Sequence, residues 1–282
     1  MSNPQFDFTP TKTTPLPQLN EDGISIKGCS IIYAPAGQAG EYATLACNPY
    51  RGCGHQCAYC YVPNVIKMTR AEFDTGAFPR PDFVKKLTAE ARKYQLVQSQ
   101  EQVMLSFSTD PFHPGDNTLT RKTLQIIQDH GMGICTLTKG GGRALRDLDL
   151  FRPSRDAFAS TLTSLDEAFS RRWEREATLP HERMDTLKKF HAAGIYTWVS
   201  LEPVLDTEAT LEIIRQTHEY VNLYKVGRVN YLSLTRTTDW AVFTKRVLDV
   251  LNKTGAAHYI KNDLQPYLPD GYTNPKRVAQ HH

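Results

Sequence analysis

From about residue 43 the chain alternates short apolar runs with longer stretches of helical periodicity. Runs of strand length fall at 43–47, 103–108, 133–138, 158–162, 196–201 and 222–226. Between and after them, 81–94, 118–129, 165–173, 181–193, 208–220 and 239–254 carry the spacing of amphipathic helices. In 181–193, Met184, Leu187 and His191 share a predicted inner face, and Gly194 is placed to end the helix. Strand–helix alternation with apolar strands predicts a parallel sheet covered by helices. About six such units fit between 43 and 255, too few for a complete eight-unit barrel and enough for an incomplete one. A doubly wound open sheet has the same periodicity. Either arrangement gathers functional residues at the C-terminal ends of the strands.

Residues 1–22 show no periodicity and contain four prolines, so they read as an extended or disordered arm. The expected division is this arm, a barrel domain over 23–255 and a C-terminal extension over 256–282. The composition of the 282 residues, 40% hydrophobic and 22% charged with 17 Gly and 17 Pro, excludes a coiled coil, a collagen-like rod and a wholly disordered chain. No apolar run approaches the ~20 residues of a membrane span. Residues 1–17 have neither the basic start nor the apolar stretch of a signal peptide, so a cytoplasmic location without membrane contact is expected. A formal net charge of +3 is too small to argue nucleic-acid binding.

The cysteines change the picture. Of Cys29, Cys47, Cys53, Cys57, Cys60 and Cys135, three crowd into one short segment directly after the first predicted strand. In a reducing compartment such a cluster points to metal rather than disulfides. Structural zinc closes its shell with a fourth Cys or His. His55 is badly placed inside the loop, and no later pair completes a zinc site. An iron–sulfur cluster normally has four protein ligands, so three leave one iron for something else. A zinc-stabilised nucleic-acid-binding protein is the alternative of another class.

With Tyr59 before the last cysteine, Cys53-x3-Cys57-x2-Cys60 resembles the signature of the radical S-adenosylmethionine (SAM) enzymes. The resemblance implies a 4Fe–4S cluster on Cys53, Cys57 and Cys60, with SAM chelating the fourth iron. It also implies reductive cleavage to a 5′-deoxyadenosyl radical, an external electron donor of flavodoxin or ferredoxin type, and an α/β fold, a partial (β/α)6 TIM-type barrel. Asn48-Pro-Tyr-Arg-Gly-Cys53, Thr109-Asp-Pro-Phe112, Leu137-Thr-Lys139, Arg146-Asp-Leu-Asp149 and Ser164-Leu-Asp-Glu167 occur in order. Glu182-Arg-Met-Asp-Thr-Leu187, Ala193-Gly-Ile195 and Val199-Ser-Leu-Glu-Pro203 follow. Over roughly 43–205 these look like the spore-photoproduct-lyase-like branch.

The resemblance implies roles for other strand-end residues. Ser108, Thr109 and Asp110 would receive the SAM ammonium, although Asp-Pro also starts turns. Lys139 would pair with the SAM carboxylate, followed by Gly140–Gly142 as a ligand-approaching or simply flexible loop. Ser160 or Thr161 would reach the ribose or carboxylate, and alternation lets only one point inward. Glu202 would bind ribose or substrate, and Lys225 and Gly227, with Arg228, lie where the superfamily often packs adenine. Tyr59 and Tyr61 match tyrosines proposed to relay hydrogen in photoproduct lyases. Phe107, however, stands where those enzymes carry their hydrogen-donor cysteine, and a phenyl ring cannot donate. Ordinary thymine-dimer reversal is therefore not expected. A nucleic-acid base or nucleotide remains the expected substrate, extruded from any duplex, with a peptide or small metabolite as the alternative. Arg143, Arg146, Arg152, Arg155, Arg171 and Arg172 are candidates for a basic rim or for solvated helix faces.

Overall fold

The computed structural model describes residues 16–229 and 237–274. Of the N-terminal arm, 1–15 lie outside the described residues, while Leu19 forms a bridge with Ile26. A 3-10 turn at Gly37–Glu41 leads to strand β1 (Leu45–Cys47). The next segment holds β2 (Tyr50–Arg51), α1 (Val62–Val65), α2 (Arg70–Asp74) and β3 (Phe78–Pro79). Then come α3 (Phe83–Leu96), β4 (Gln102–Leu105), α4 (Thr118–Asp129) and β5 (Gly133–Thr138). A 3-10 segment, Gly141–Leu150, precedes β6 (Ala157–Thr161), α5 (Glu167–Trp173) and α6 (Pro180–Ala192). The chain continues through β7 (Tyr196–Val204), α7 (Thr207–Thr217), β8 (Leu223–Arg228), α8 (Trp240–Thr254) and β9 (His258–Ile260).

The main sheet has the order β1-β4-β5-β6-β7-β8-β9, every pairing parallel, and curls into a half-barrel ringed by helices. The expected partial barrel is present, with one strand more than the periodicity indicated. β9 comes from the segment read as a C-terminal extension, and it pairs with β8 inside the sheet. Three residues are too short a run for pattern reading to register. No helix among the described residues is long and apolar enough to cross a membrane.

Strand alternation sorts the side chains into two layers. Leu45, Val103, Ile134, Phe158, Val199 and Val226 face the helices in the large core. There Phe158 stacks on Phe190 of α6 at 3.8 Å, with Phe151 edge-on to Phe190 at 5.0 Å. Each such fully buried side chain stabilises the fold by roughly 1.5–3 kcal/mol. The concave face carries a separate cluster of Met104, Cys135, Ala157, Ala159, Trp198 and Leu223. Cys135 thus sits in the lumen wall as a buried free thiol.

The inner face of α6 differs from its prediction. Arg183, Thr186, Leu187 and Phe190 are buried, whereas Met184 and His191 are only half-buried. Arg183 is buried because its charge is matched inside. It pairs with Glu174 at 2.6 Å and donates to the carbonyls of Thr178 and Thr161. Gly140–Gly142 also gains a definite role. A Cβ on Gly140 would lie 2.5 Å from the Phe112 carbonyl oxygen, and one on Gly141 (φ +49°) 2.4 Å from Thr178 Oγ1. These glycines admit neighbouring protein groups, and the segment after them is 3-10 rather than loose.

Candidate active site

The cysteine loop leaves β1 at the C-terminal mouth of the half-barrel and is fastened on several sides. β2 and β3 pair as a short antiparallel ladder, Tyr50 opposite Pro79 and Arg51 opposite Phe78. Cys53 N–H donates to the Phe73 carbonyl at 2.9 Å, and Ala58 N–H to the Trp173 carbonyl at 2.8 Å. The Arg70 guanidinium donates to the carbonyls of Cys57 (2.6 Å) and Cys60 (3.4 Å). Gly52 makes the turn possible: its φ is +83°, and a Cβ there would fall 2.3 Å from the Gly76 carbonyl oxygen. Cys53 and Cys57 are buried, Cys60 is half-buried, and all three thiols are free.

Burial pushes these thiols up, Cys53 to about 12, with Asp110 adding to the shift at Cys53. At Cys57 burial is opposed by the Lys139 ammonium. Thiolates are therefore stable here only with added positive charge, which a metal cluster supplies together with Lys139. Among the described residues no three His, Cys, Asp or Glu side chains stand close enough to share one metal ion.

His55 locks the loop to the strand ends. Its Nδ1 lies 3.3 Å from Asp110 Oδ2, and its Nε2 lies 2.6 Å from Arg143 Nη2. Arginine can only donate, which makes Nε2 the acceptor and Nδ1–H the donor to Asp110. Burial lowers the His55 pKa, consistent with a neutral ring. Asp110 also accepts from Phe112 N–H, Thr138 Oγ1 and Lys139 N–H. Burial alone would raise its pKa, but His55 and these donors hold it well below the usual range. Its carboxylate is spent on the scaffold rather than turned toward a ligand.

A second buried group lies behind Cys57. The Glu174 backbone forms an antiparallel β-bridge with Cys57, while its carboxylate pairs with Arg183 and accepts from the hydroxyls of Tyr59 and Thr163. Burial raises the Glu174 pKa, yet Arg183 and Lys139 more than offset it and keep the carboxyl ionised. Lys139 Nζ stands 5.5 Å from the centre of the Tyr59 ring. Tyr59 is thus pinned under the loop. Tyr61 is 51% exposed at the mouth, and burial of its remainder with the nearby Glu202 raises its pKa to about 12.

The other expected site residues separate clearly. Asn48 Oδ1 accepts from the Phe107 and Ser108 N–H groups, and Ser108 Oγ donates to the Tyr50 carbonyl. Thr109 Oγ1 is buried without a hydrogen-bond partner, the condition of a group that waits for a ligand. Ser160 shares the helix-side face of Phe158 and donates to the Thr138 carbonyl, so Thr161 is the lumen-facing member of the pair. Glu202, at a register shift in β7, accepts from Tyr42 Oη and Lys261 Nζ. Lys225 donates to the Glu41 and Tyr42 carbonyls at 3.0 and 2.9 Å and lies 4.9 Å from the Trp198 ring centre. Burial brings its pKa down to about 8, and its hydrogens are already committed to the wall. A Cβ on Gly227 would fall 2.9 Å from both Glu202 and Lys261, so glycine is what lets that pair meet.

Sequence reading did not single out Glu174, Glu41, Tyr42 or Lys261 as site residues, and it read Arg143 as a rim candidate rather than as the partner of His55. Glu41 is fully buried, accepting from Asn262 N–H and Tyr259 Oη, with Lys261 Nζ 3.9 Å away. Tyr42 packs on Trp198 (5.7 Å) and Phe107 (6.3 Å) and forms an aromatic wall of the lumen. The arginines do not form a rim. Arg152 and Arg155 precede β6 at the opposite end of the barrel, bound to Asp156 and Gln100, and Arg146 pairs with Asp147. Arg171 and Arg172 are exposed on α5.

The model of the radical SAM superfamily matches residues 47–221, more than half of the chain. The chain belongs to that superfamily. Radical SAM enzymes use a 4Fe–4S cluster and SAM and need an external reductant. The residues here fit those groups: three free thiols in one loop, the Lys139 cation beside them and the unpartnered Thr109 hydroxyl at the end of β4. The uncharacterized protein ORF301 of Acidianus two-tailed virus is 24% identical over 212 residues, 70% of this chain and 68% of that protein. The uncharacterized protein Rv2578c of Mycobacterium tuberculosis is 27% identical over 168 residues, 56% of this chain and about half (48%) of that one. In fold, the radical SAM chain is similar to a spore photoproduct lyase mutant with bound AdoMet and dinucleoside spore photoproduct. That match has TM-score 0.64 and 11% identity and covers 83% of this chain and 79% of the other. Streptococcus suis SuiB bound to S-adenosylmethionine matches at TM-score 0.58 and 12% identity, over 81% of this chain and 53% of SuiB.

Proposed function

We propose that Cys53, Cys57 and Cys60 hold the 4Fe–4S cluster and that the chain abstracts hydrogen from a nucleic-acid base or nucleotide. The observation that carries this reading is the fastened loop itself, with three free thiols at the C-terminal mouth of a parallel half-barrel. The bound cofactors supply one-electron cleavage of SAM to a 5′-deoxyadenosyl radical. The protein's share is placement. Lys139 sets a cation against the thiolate side, Thr109 offers a hydroxyl, and Thr161 and Glu202 present polar groups from β6 and β7. Tyr42, Phe107 and Trp198 form an aromatic wall suited to stacking a planar base and excluding water.

Phe107 argues against thymine-dimer reversal by the photoproduct-lyase route, because its side chain has no weak S–H bond to give. Tyr61, exposed at the mouth, is the tyrosine better placed to meet a substrate, whereas Tyr59 is bound to Glu174. The test is anaerobic turnover with deuterated nucleosides and oligonucleotides, reading label in 5′-deoxyadenosine. Label from a nucleoside or oligonucleotide supports the reading. Label only from peptides or other metabolites replaces its substrate half, and stoichiometric zinc without SAM binding overturns it.

A further inference from the structure

We infer that the cavity between the tip of β8 and the start of α8 is a nucleotide subsite outside the lumen, in which Arg228 takes a phosphate. The inference rests on the nucleic-acid reading proposed above and adds a second binding position to it.

The cavity has a volume of about 480 Å³, within the range of pockets that hold a ligand of nucleotide size. Its walls include Arg228, Val229, Thr238, Asp239, Trp240 and Tyr267. They come from the end of β8, the segment that enters α8, and the 3-10 turn Gln265–Tyr267. All of them lie outside residues 47–221, the part matched by the superfamily.

Strand alternation places the cavity behind the lumen wall. Val226 faces the helices in the large core, while a Cβ on Gly227 would meet Glu202 and Lys261. Arg228 returns to the helix side, where its guanidinium lies 5.8 Å from the Trp240 ring centre and 5.7 Å from that of Tyr267. One step along β8 therefore separates the cavity from the polar network of Glu202, at the same C-terminal mouth.

The chemistry of the walls selects the ligand. The two aromatic rings hold the guanidinium without neutralising it. Its Nη1 donates to Tyr267 Oη at 3.0 Å, whereas Nε is buried without a hydrogen-bond partner among the described residues. Such a donor is costly until a ligand brings an acceptor. Asp239 caps α8, accepting at Oδ1 from the N–H groups of Ala241 (3.1 Å) and Val242 (3.0 Å). Those amides are taken, so the anion recogniser is Arg228 rather than the helix end. Asp263 Oδ1 accepts from the Arg228 backbone N–H at 3.3 Å. An arginine fork matches phosphate oxygens, and an aromatic face stacks a base of any identity. A phosphate joined to a planar ring uses both, and a nucleic-acid strand carries that pair at every step. With one base in the lumen, the adjoining phosphate crosses the β8 tip to Arg228 and the next nucleoside lies against half-buried Tyr267.

The test is the Kd of the anaerobically reconstituted protein for deoxydinucleoside phosphates and for their uncharged methylphosphonate analogues. Wild type should bind the phosphodiesters about tenfold more tightly. Arg228→Gln should abolish that preference, and Arg228→Lys, which keeps the charge but loses the fork, should restore part of it. Ala241→Glu sets a carboxylate on the cavity wall in the first turn of α8, where glutamate suits the helix, and should weaken phosphodiester binding about tenfold. Val242→Glu, at the exposed neighbouring position, should leave it within about twofold. A phosphodiester preference that survives Arg228→Gln, equal weakening by Ala241→Glu and Val242→Glu, or binding of neither ligand to wild type overturns the inference. Failure of the nucleic-acid reading shows separately, as absence of nucleoside or oligonucleotide deuterium from 5′-deoxyadenosine.

Discussion

Two buried polar networks face each other across the lumen. On the cysteine side, His55–Asp110–Arg143 and Tyr59–Glu174–Arg183 surround the thiols. On the far side, Glu41, Tyr42, Glu202, Lys225 and Lys261 join the segment before β1 to β7, β8 and the end of β9. The first lies wholly within the residues matched by the superfamily. In the second, Glu41, Tyr42, Lys225 and Lys261 fall outside the match, and only Glu202 falls inside. The two networks hold different parts of the molecule: one fixes the cysteine loop, and the other ties the segment before β1 to β7, β8 and the end of β9.

Substitutions should break the two networks in different ways. The largest effect is expected from Cys57→Ala, which should reduce cluster iron to background while circular dichroism stays native-like. Arg183→Met leaves the Glu174 carboxylate buried and unmatched. It should cost about 3–5 kcal/mol in denaturant unfolding and also lower iron content, because the segment that carries Glu174 is joined through its backbone to Cys57. Lys261→Met takes the cation from both Glu202 and the fully buried Glu41 and should cost a similar amount, about 3–5 kcal/mol, while iron content stays at the wild-type level. If Lys261→Met lowers iron as much as Arg183→Met, the two networks are not separate in function. Tyr42→Phe removes hydrogen bonds to Glu202 and Ser200 and should cost about 1 kcal/mol, again without loss of iron.

A pH dependence is also expected on the far side. Burial, and then Glu202, hold the Asp263 carboxyl up at about 6 against an ordinary value of 3.8. The folded chain favours the protonated form, so this group's stabilising contribution is complete below pH 3.8 and is lost as pH rises through about 6. Asp263→Asn should therefore unfold at a higher temperature than wild type at pH 7.5, and the gap should close toward pH 4. A gap independent of pH would contradict the assignment.

The half-barrel was readable because its central strands are largely apolar runs at regular spacing, and β5 and α4 match their predicted limits. Pattern failed where tertiary structure overrides local preference. His258–Ile260 is strand only because β8 offers an edge. Arg183 points inward only because Glu174 waits there, and a binary pattern counts arginine as solvent-facing. The cysteine ligand set was visible as spacing, and Lys139 and Thr109 as strand-end positions. Asp110 and Ser160 occupy strand-end or strand positions too, yet their polar atoms satisfy the protein, which no single sequence reveals. Glu41 and Tyr42 precede the first predicted strand without any periodic signal. Their importance comes from partners about 160 to 220 residues away in the chain.

The central claim is that the Cys53–Cys57–Cys60 loop supports reductive cleavage of SAM. Its most direct test is 5′-deoxyadenosine formation by the anaerobically reconstituted protein, incubated with SAM and dithionite beside the Cys57→Ala variant. Wild type should form 5′-deoxyadenosine in proportion to its iron content, and the variant none above background. Equal product from both, or none from a wild type that carries its full cluster, would contradict the claim.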